Sequence, residues 1–250
     1  MKISVLITLF LLSPASAFLA TSTADTQLNM GWHNTWTDIL QGGSKRWKIT
    51  SSNAHQKALS HIQNYVKQPN SHFFVPLAGD DPMVKQLFTA GHSVTALDLV
   101  PDALKAMRSQ FDGAWTTETL KDGTVSWKHE SGRVTQLEGD VLKPRPYLNG
   151  VFDAVYDKDS FGALSKDMRQ DYCQRISDFC KPNGTIYMEV KLRDNHEDSK
   201  HVGPPFSLLQ EDIMESDYYG TAFEHVAALG EVYEAGYSGA KQTGHVLRKI

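Results

Sequence analysis

From residue 72 onward, short apolar runs alternate with segments of helical spacing, and this alternation constrains the fold more than any other feature. Strand, helix and strand in repeating order is the pattern of a parallel sheet flanked by helices. Residues 72–77 read as a buried strand, bounded by Pro76 and Gly79. A helix is expected over 80–90. Asp80 or Asp81 can cap it, Pro82 suits its first turn, and Gly91 stops it. Its apolar residues Met83, Val84, Leu87 and Phe88 fall at helical spacing. A second strand over 93–97 ends at Asp98, and a short helix follows over 101–110. Asp122-Gly123 and Ser131-Gly132 then punctuate 115–136 into a small antiparallel meander inserted in the sheet. The next strand spans 152–156 and the next helix 166–180, with Asn183-Gly184 turning into a strand over 185–190. A charged loop over 191–201, Gly203-Pro204-Pro205-Phe206, a last helix and strands near 222–229 and 245–250 complete the pattern.

The chain has 250 residues, enough for one sizeable α/β domain and too few for two comfortable ones. A net charge of −4 provides no basic surface of the kind nucleic acid requires, so no nucleic-acid partner is expected. The N-terminus is a separate object. Met1-Lys2-Ile3 is positively charged, residues 4–12 are largely apolar, and Ala15-Ser16-Ala17 supplies a small-x-small cleavage pattern. These features read as a signal peptide over 1–17, with entry to the secretory pathway and no stable membrane association after cleavage. The apolar run is shorter than the roughly 18 residues of a spanning helix. Ala15-Ser16-Ala17-Phe18 also resembles the two-part plastid presequence of diatoms and related algae, which would extend to about residue 28 and deliver the chain to a plastid. Cys173 and Cys180 both fall in the helix expected over 166–180, separated by roughly 10 Å along its axis. That exceeds the reach of a disulfide, and two free thiols suit a reducing organelle.

Three constellations carry chemistry. In the first, Phe73-Phe74-Val75-Pro76-Leu77-Ala78-Gly79 leads into a helix and then Ala96-Leu97-Asp98. A glycine turn between strand and helix lets a ligand approach the backbone, and an acidic residue closing the next strand can accept both hydroxyls of a ribose. Only one glycine is present, with Asp80 and Asp81 directly after it, so a pyrophosphate would be repelled. A cofactor with a ribose and no phosphate fits better, of which S-adenosylmethionine is the commonest. A plain strand-turn-helix without ligand is the alternative. The second, Glu138-Gly139-Asp140-Val141, can present a carboxylate to an adenine amino group, or be a turn capped by Asp140. The third, Val155-Tyr156-Asp157-Lys158-Asp159-Ser160, places charges where ligands of open α/β sheets sit, or is a solvated loop.

Read together, Pro76-Leu77-Ala78-Gly79, Ala90-Gly91-His92-Ser93-Val94, Gly139-Asp140, residues 152–158, Ala163-Leu164, Met168-Arg169 and Gly203-Pro204-Pro205-Phe206 occur in an order that resembles the thiopurine S-methyltransferase family, which includes plant and algal thiol and halide methyltransferases. The resemblance covers residues 32–229, and Trp32-His33-Asn34-Thr35-Trp36 matches the family's N-terminal segment. It implies a Rossmann-like class I methyltransferase: an α/β domain over 29–250 with a mostly parallel seven-stranded sheet, helices on both faces and a small antiparallel insertion. It implies S-adenosyl-L-methionine as cofactor and a thiol, thioether, halide or thiopurine-like acceptor. Leu77 and Gly79 would line the cofactor's methionine side, Asp98 would hold the ribose, and Asp140 and Val141 would flank the adenine. Asp157 would also face the cofactor. Trp32 and Trp36 would close over the sulfonium, where a cation gains about 0.5–2 kcal/mol from aromatic faces. Trp47, Lys158 and Phe206 would face the acceptor, Lys158 orienting it.

The sequence departs from the family pattern at Ala78, at Asp80 where a lysine is usual, at Lys158 where an arginine is usual, and over Lys191-Leu192-Arg193-Asp194. These departures fall around the acceptor. The expected chemistry is an in-line displacement with no metal, protein nucleophile or covalent intermediate, carried out by a monomer. His55, His61 and His92 read as surface or packing residues, and neither cysteine is placed for catalysis. A nicotinamide-dependent oxidoreductase and a non-catalytic Rossmann-like binding module are the competing readings. The first lacks both G-x-G-x-x-G and Tyr-x-x-x-Lys.

Overall fold

The computed structural model describes residues 33–43, 53–233 and 239–250. Trp32, Trp47 and the leader read over 1–17 lie outside the described residues. The chain divides into two compact units, with the boundary after Ser44. Of the first unit, a helical stretch over 33–40 is described, and Trp36 is buried on it.

The second unit opens with α1 (Ala54–Tyr65), then β1 (His72–Pro76), α2 (Met83–Thr89), β2 (Ser93–Asp98) and α3 (Pro101–Arg108). The meander follows as β3 (Trp115–Thr119), β4 (Val125–His129) and β5 (Val134–Glu138). Then come β6 (Phe152–Lys158), α4 (Ser160–Ala163), α5 (Lys166–Phe179) and β7 (Cys180–Arg193). Short helices α6 (His196–Ser199) and α7 (Gln210–Ile213) precede β8 (Phe223–Tyr233) and β9 (Ala240–Lys249). No helix among the described residues is long and apolar enough to cross a membrane.

Among the described residues nine strands form a single sheet in the order β3-β4-β5-β2-β1-β6-β7-β9-β8. The expectation of seven strands is therefore corrected to nine. The extra pair is the β3–β4 hairpin, which extends the sheet at one edge, while β5 joins the parallel core beside β2. Nor is the sheet mostly parallel: β1–β2, β1–β6, β2–β5 and β6–β7 pair parallel, and the other four pairings are antiparallel.

Strand alternation splits the core into two layers. Phe73, Val75, Val94, Ala96, Ala154, Tyr156 and Tyr187 point to the face covered by Ala58 and Ile62 of α1 and Met83, Val84 and Leu87 of α2. Phe74, Leu97, Val155, Ile186 and Met188 point to the other face, against Tyr172, Ile176 and Phe179 of α5. The helix expected over 80–90 begins later, because Asp81 Oδ1 accepts the Met83 N–H and holds residues 80–82 as a turn. The two cysteines do not share a helix. α5 ends at Phe179, and Cys180 opens β7; both thiols are free and buried.

Candidate active site

Strand order runs outward in both directions from the β1–β6 pair: β2 and β5 lie on one side, β7 on the other. Such a reversal leaves a crevice outside the carboxyl ends of the two strands, where ligands of open α/β sheets sit. Backbone strain collects there. Leu77, just past β1, has φ +44°, and Asp159, just past β6, has φ +58°; both are left-handed conformations that side chains seldom adopt. Gly79 has φ +53°, which glycine takes at little cost. Ser160 Oγ donates to the Pro76 carbonyl at 2.9 Å and ties the two strand ends across the reversal.

Asp98 ends β2 as expected. Its Oδ2 accepts the Gly79 N–H at 2.7 Å and its Oδ1 the Val100 N–H at 2.8 Å. The carboxylate thus fixes the glycine turn. The Gly139 N–H donates to the Asp98 carbonyl at 2.8 Å, so the loop after β5 is moored to the end of β2. Asp140 Oδ1 accepts the Leu142 N–H at 2.9 Å, and Val141 is buried in the core. Arg145, also buried, donates from Nη1 to the carbonyls of Asp140 and Lys143. A Cβ on Gly139 would collide with that guanidinium, which explains the glycine. The donor set suits a cofactor with a ribose and an adenine: carboxylates at the ends of β2 and after β5 accept hydroxyl and amino protons, whereas they would repel phosphate.

On the β6 side Asp157 departs from expectation. It is fully buried and faces the framework: Oδ1 accepts the Ser160 and Phe161 N–H groups, and Oδ2 accepts the Tyr172 hydroxyl at 2.7 Å. Burial pushes its carboxyl up to about 6, against those hydrogen bonds. The adjacent Lys158 ammonium sits 3.1 Å from Asp159 Oδ2. Burial works against its charge, but Asp159, Asp81 and Glu189 outweigh that and hold the ammonium above its usual range. Asp81 in turn pairs with His55 of α1 at 3.4 Å. His55, read as surface or packing, is thus part of this group.

Glu189 is the residue that spacing missed. It lies on β7 in register with Lys158 and is fully buried. The Tyr187 hydroxyl donates to Oε1 at 2.9 Å and the Tyr233 hydroxyl to Oε2 at 2.6 Å. Burial pushes its carboxyl up to about 7, although Lys158 and both tyrosines pull it down. A charged residue inside the apolar run Ile186–Val190 was the available signal, since an acid is almost never fully buried without partners.

Gly203-Pro204-Pro205-Phe206 folds along the end of β7. Arg193 donates to the Pro205 carbonyl and the Phe206 N–H to the Gly162 carbonyl. The Phe206 ring lies over Gly203, where a Cβ would fall 2.6 Å from it, and 5.4 Å from the Arg169 guanidinium. Leu77, Gly79, Asp98, Asp140 and Val141 therefore gather along β1, β2 and β5, and Lys158 and Phe206 near the ends of β6 and β7.

The family model of thiopurine S-methyltransferase matches residues 29–243. The chain belongs to the thiopurine S-methyltransferase family. Among curated relatives, it is 29% identical over 187 residues to the thiopurine S-methyltransferase of Vibrio parahaemolyticus, covering 74% of this chain and 79% of that one. To that of Acinetobacter baylyi it is 24% identical over 189 residues, covering 72% and 83%. Among solved structures, its fold resembles Burkholderia thailandensis 1,6-didemethyltoxoflavin-N1-methyltransferase with bound S-adenosylhomocysteine. The TM-score is 0.58 at 16% identity, covering 98% of this chain and 93% of that chain. The glycopeptide N-methyltransferase MtfA, also with S-adenosylhomocysteine, gives 0.58 at 14% identity, covering 85% and 97%. With this membership the fold is that of a class I methyltransferase, the activity is S-adenosylmethionine-dependent methyl transfer, and the cofactor is S-adenosyl-L-methionine.

Proposed function

We propose that this enzyme methylates a small, soft nucleophile, and that the acceptor enters uncharged, as a thiol in preference to a halide or another preformed anion. Bound S-adenosylmethionine supplies an electrophilic methyl group on a sulfonium. Asp98 takes its ribose hydroxyls, the Asp140–Val141 loop its adenine, and Leu77 and Gly79 its methionine portion. Lys158 orients the acceptor.

The observation that carries the preference is the company Lys158 keeps. Its ammonium is paired with Asp159 and faces Asp81 and Glu189, so the positive charge is already compensated. A free anion arriving there meets more like charge than opposite charge, whereas a neutral S–H does not. The net charge of −4 points the same way and also disfavours nucleic acid as a partner. We propose that the enzyme acts as a monomer.

Calorimetric titration with S-adenosylhomocysteine tests the cofactor side: micromolar binding is expected, weakened at least about tenfold in Asp98→Ala, or about 1.4 kcal/mol. Turnover assays with thiols, a thiopurine, thioethers and iodide test the acceptor side. Iodide outpacing every thiol would overturn the preference.

A further inference from the structure

The buried group around Glu189 has a composition that packing alone does not demand. Three tyrosines, Tyr156, Tyr187 and Tyr233, share it with Lys158 and Glu189, and all five are buried or nearly so. Two of the tyrosine hydroxyls are spent on the Glu189 carboxylate. The third, Tyr156 Oη, is buried and has no hydrogen-bond partner. Leaving a buried hydroxyl unmet costs about 1–3 kcal/mol, so Tyr156 Oη is suited to meet a polar atom of a bound molecule. Both Asp81 and Glu189 lie close enough to raise the Tyr156 and Tyr233 hydroxyls above their usual range, although burial is the larger cause. The group therefore adjoins the turn after Gly79, on the same side of the sheet reversal as Lys158 and Asp159.

An acceptor that enters as a neutral thiol must lose a proton, because the thiolate is the nucleophile. Lys158 cannot take it, being held protonated by the carboxylates around it. Asp159 is engaged with Lys158 Nζ and with Gln242 Nε2, and Asp81 with His55 and the Met83 N–H. Asp157 is turned into the framework. Glu189 remains. Its surroundings are Lys158 and Asp159 at the end of β6, Tyr187 on its own strand, and Tyr233 on β8. Asp81 with His55, and Lys191 with Asp159, stand one contact further out.

We propose that Glu189 is the terminal proton acceptor for the methyl acceptor, reached through the hydroxyl of Tyr233, and that Tyr156 Oη fixes the acceptor atom. This rests on the soft-nucleophile reading above. The acceptor's S–H proton passes to Tyr233 Oη as Tyr233's own proton passes to Glu189 Oε2. The electron pair left on sulfur forms the S–CH3 bond while the methyl's bond to the sulfonium breaks. The products are the methyl thioether and S-adenosylhomocysteine, and the proton on Glu189 leaves by the reverse relay through Tyr233 once the products depart. A carboxyl that burial places near neutrality suits a base working at neutral pH.

The test compares the parent with Glu189→Gln and Tyr233→Phe on two acceptors at neutral pH: an aliphatic thiol, which is mostly protonated, and an electron-poor aromatic thiol, which is already a thiolate. The aliphatic thiol should lose about a hundredfold in kcat/KM in either variant, and the aromatic thiol at least tenfold less than that. In the parent, kcat/KM for the aliphatic thiol should rise with an ionisation near 7 that Glu189→Gln abolishes. Two readouts are independent of turnover. Infrared titration should show a carboxylic acid band in the parent that is missing from Glu189→Gln, and S-adenosylhomocysteine affinity should confirm that the variants are folded. Equal losses on both thiols, or an unchanged pH profile, would overturn the proton-acceptor role while leaving methyl transfer to thiols intact. A parent that methylates neither thiol would overturn the soft-nucleophile reading, and the proton transfer with it.

Discussion

Asp98 ends β2 and Asp157 stands one residue before the end of β6, yet their carboxylates do different work. The Asp98 carboxylate braces the turn that opens the site: it holds the Gly79 and Val100 N–H groups at 2.7 and 2.8 Å. The Asp157 carboxylate closes a turn inside the core, with Tyr172 as its side-chain donor. Spacing distinguished the first, because a glycine and an acid at successive strand ends form a local pattern. It could not distinguish the second, because Tyr172 arrives from a helix 15 positions later. Replacing Tyr172 with Phe should cost about 1–3 kcal/mol at neutral pH, the loss of one hydrogen bond to a buried charge. The sign with pH is definite. Asp157 is held up at about 6 in the folded chain, above its ordinary value, so folding favours its protonated form. Below about 6 the folded carboxyl is protonated and no longer a buried charge, so the penalty of Tyr172→Phe should shrink there. Urea midpoints at pH 7.5 and pH 4 measure both values; a penalty that grew in acid would contradict the burial of the charged form.

At the scale of elements, the strands and helices of the parallel half were legible because each apolar run is bounded by its own glycine, proline or aspartate. The antiparallel half was less so. β8 and β9 are 11 and 10 residues long, longer than the runs that apolar patterning suggested, since exposed and half-buried residues interrupt the apolar pattern along both. Cys180 was placed in a helix because 173–180 continues the periodicity of α5; the chain leaves the helix at Phe179. This hairpin carries its own pH dependence. His245 on β9 is buried beside His225 on β8, at 3.3 Å between ring nitrogens. Burial, with His225 adding to it, lowers His245 to about 4. A histidine depressed in the folded state is neutral there while the unfolded chain binds a proton, so stability is lost as pH falls from about 6.5 towards 4. The loss is on the order of 1–3 kcal/mol. His245→Gln should flatten the acid side of the stability curve, measured as urea midpoint against pH. A variant as acid-sensitive as the parent would assign that sensitivity elsewhere.

For the whole molecule, the fold class was legible for one reason: βα units alternate short apolar runs with helical segments, and turn residues punctuate them. Gly79 and Asp98 each follow a mostly apolar run directly, and Asp140 follows the glycine after β5. The Glu189 group was not legible because it is assembled across β6, β7 and β8, from residues up to 77 positions apart between Tyr156 and Tyr233. Nor was the hairpin's position at the sheet edge, which pairing decides and composition does not. A molecule whose glycine turn is braced by an aspartate and moored to the next loop should stiffen as a unit when that edge is filled. Added at a hundred times its dissociation constant, S-adenosylhomocysteine should stabilise the fold by about 2.7 kcal/mol. For a chain of this size that is a rise in thermal midpoint of roughly 5–11 °C. In Asp98→Ala, at the same concentration and with tenfold weaker binding, the stabilisation falls to about 1.4 kcal/mol and the rise is halved. Differential scanning calorimetry reads both. If Asp98→Ala lowers the unliganded midpoint but keeps the full rise, the carboxylate braces the turn without touching the ribose. A halved rise assigns it both tasks.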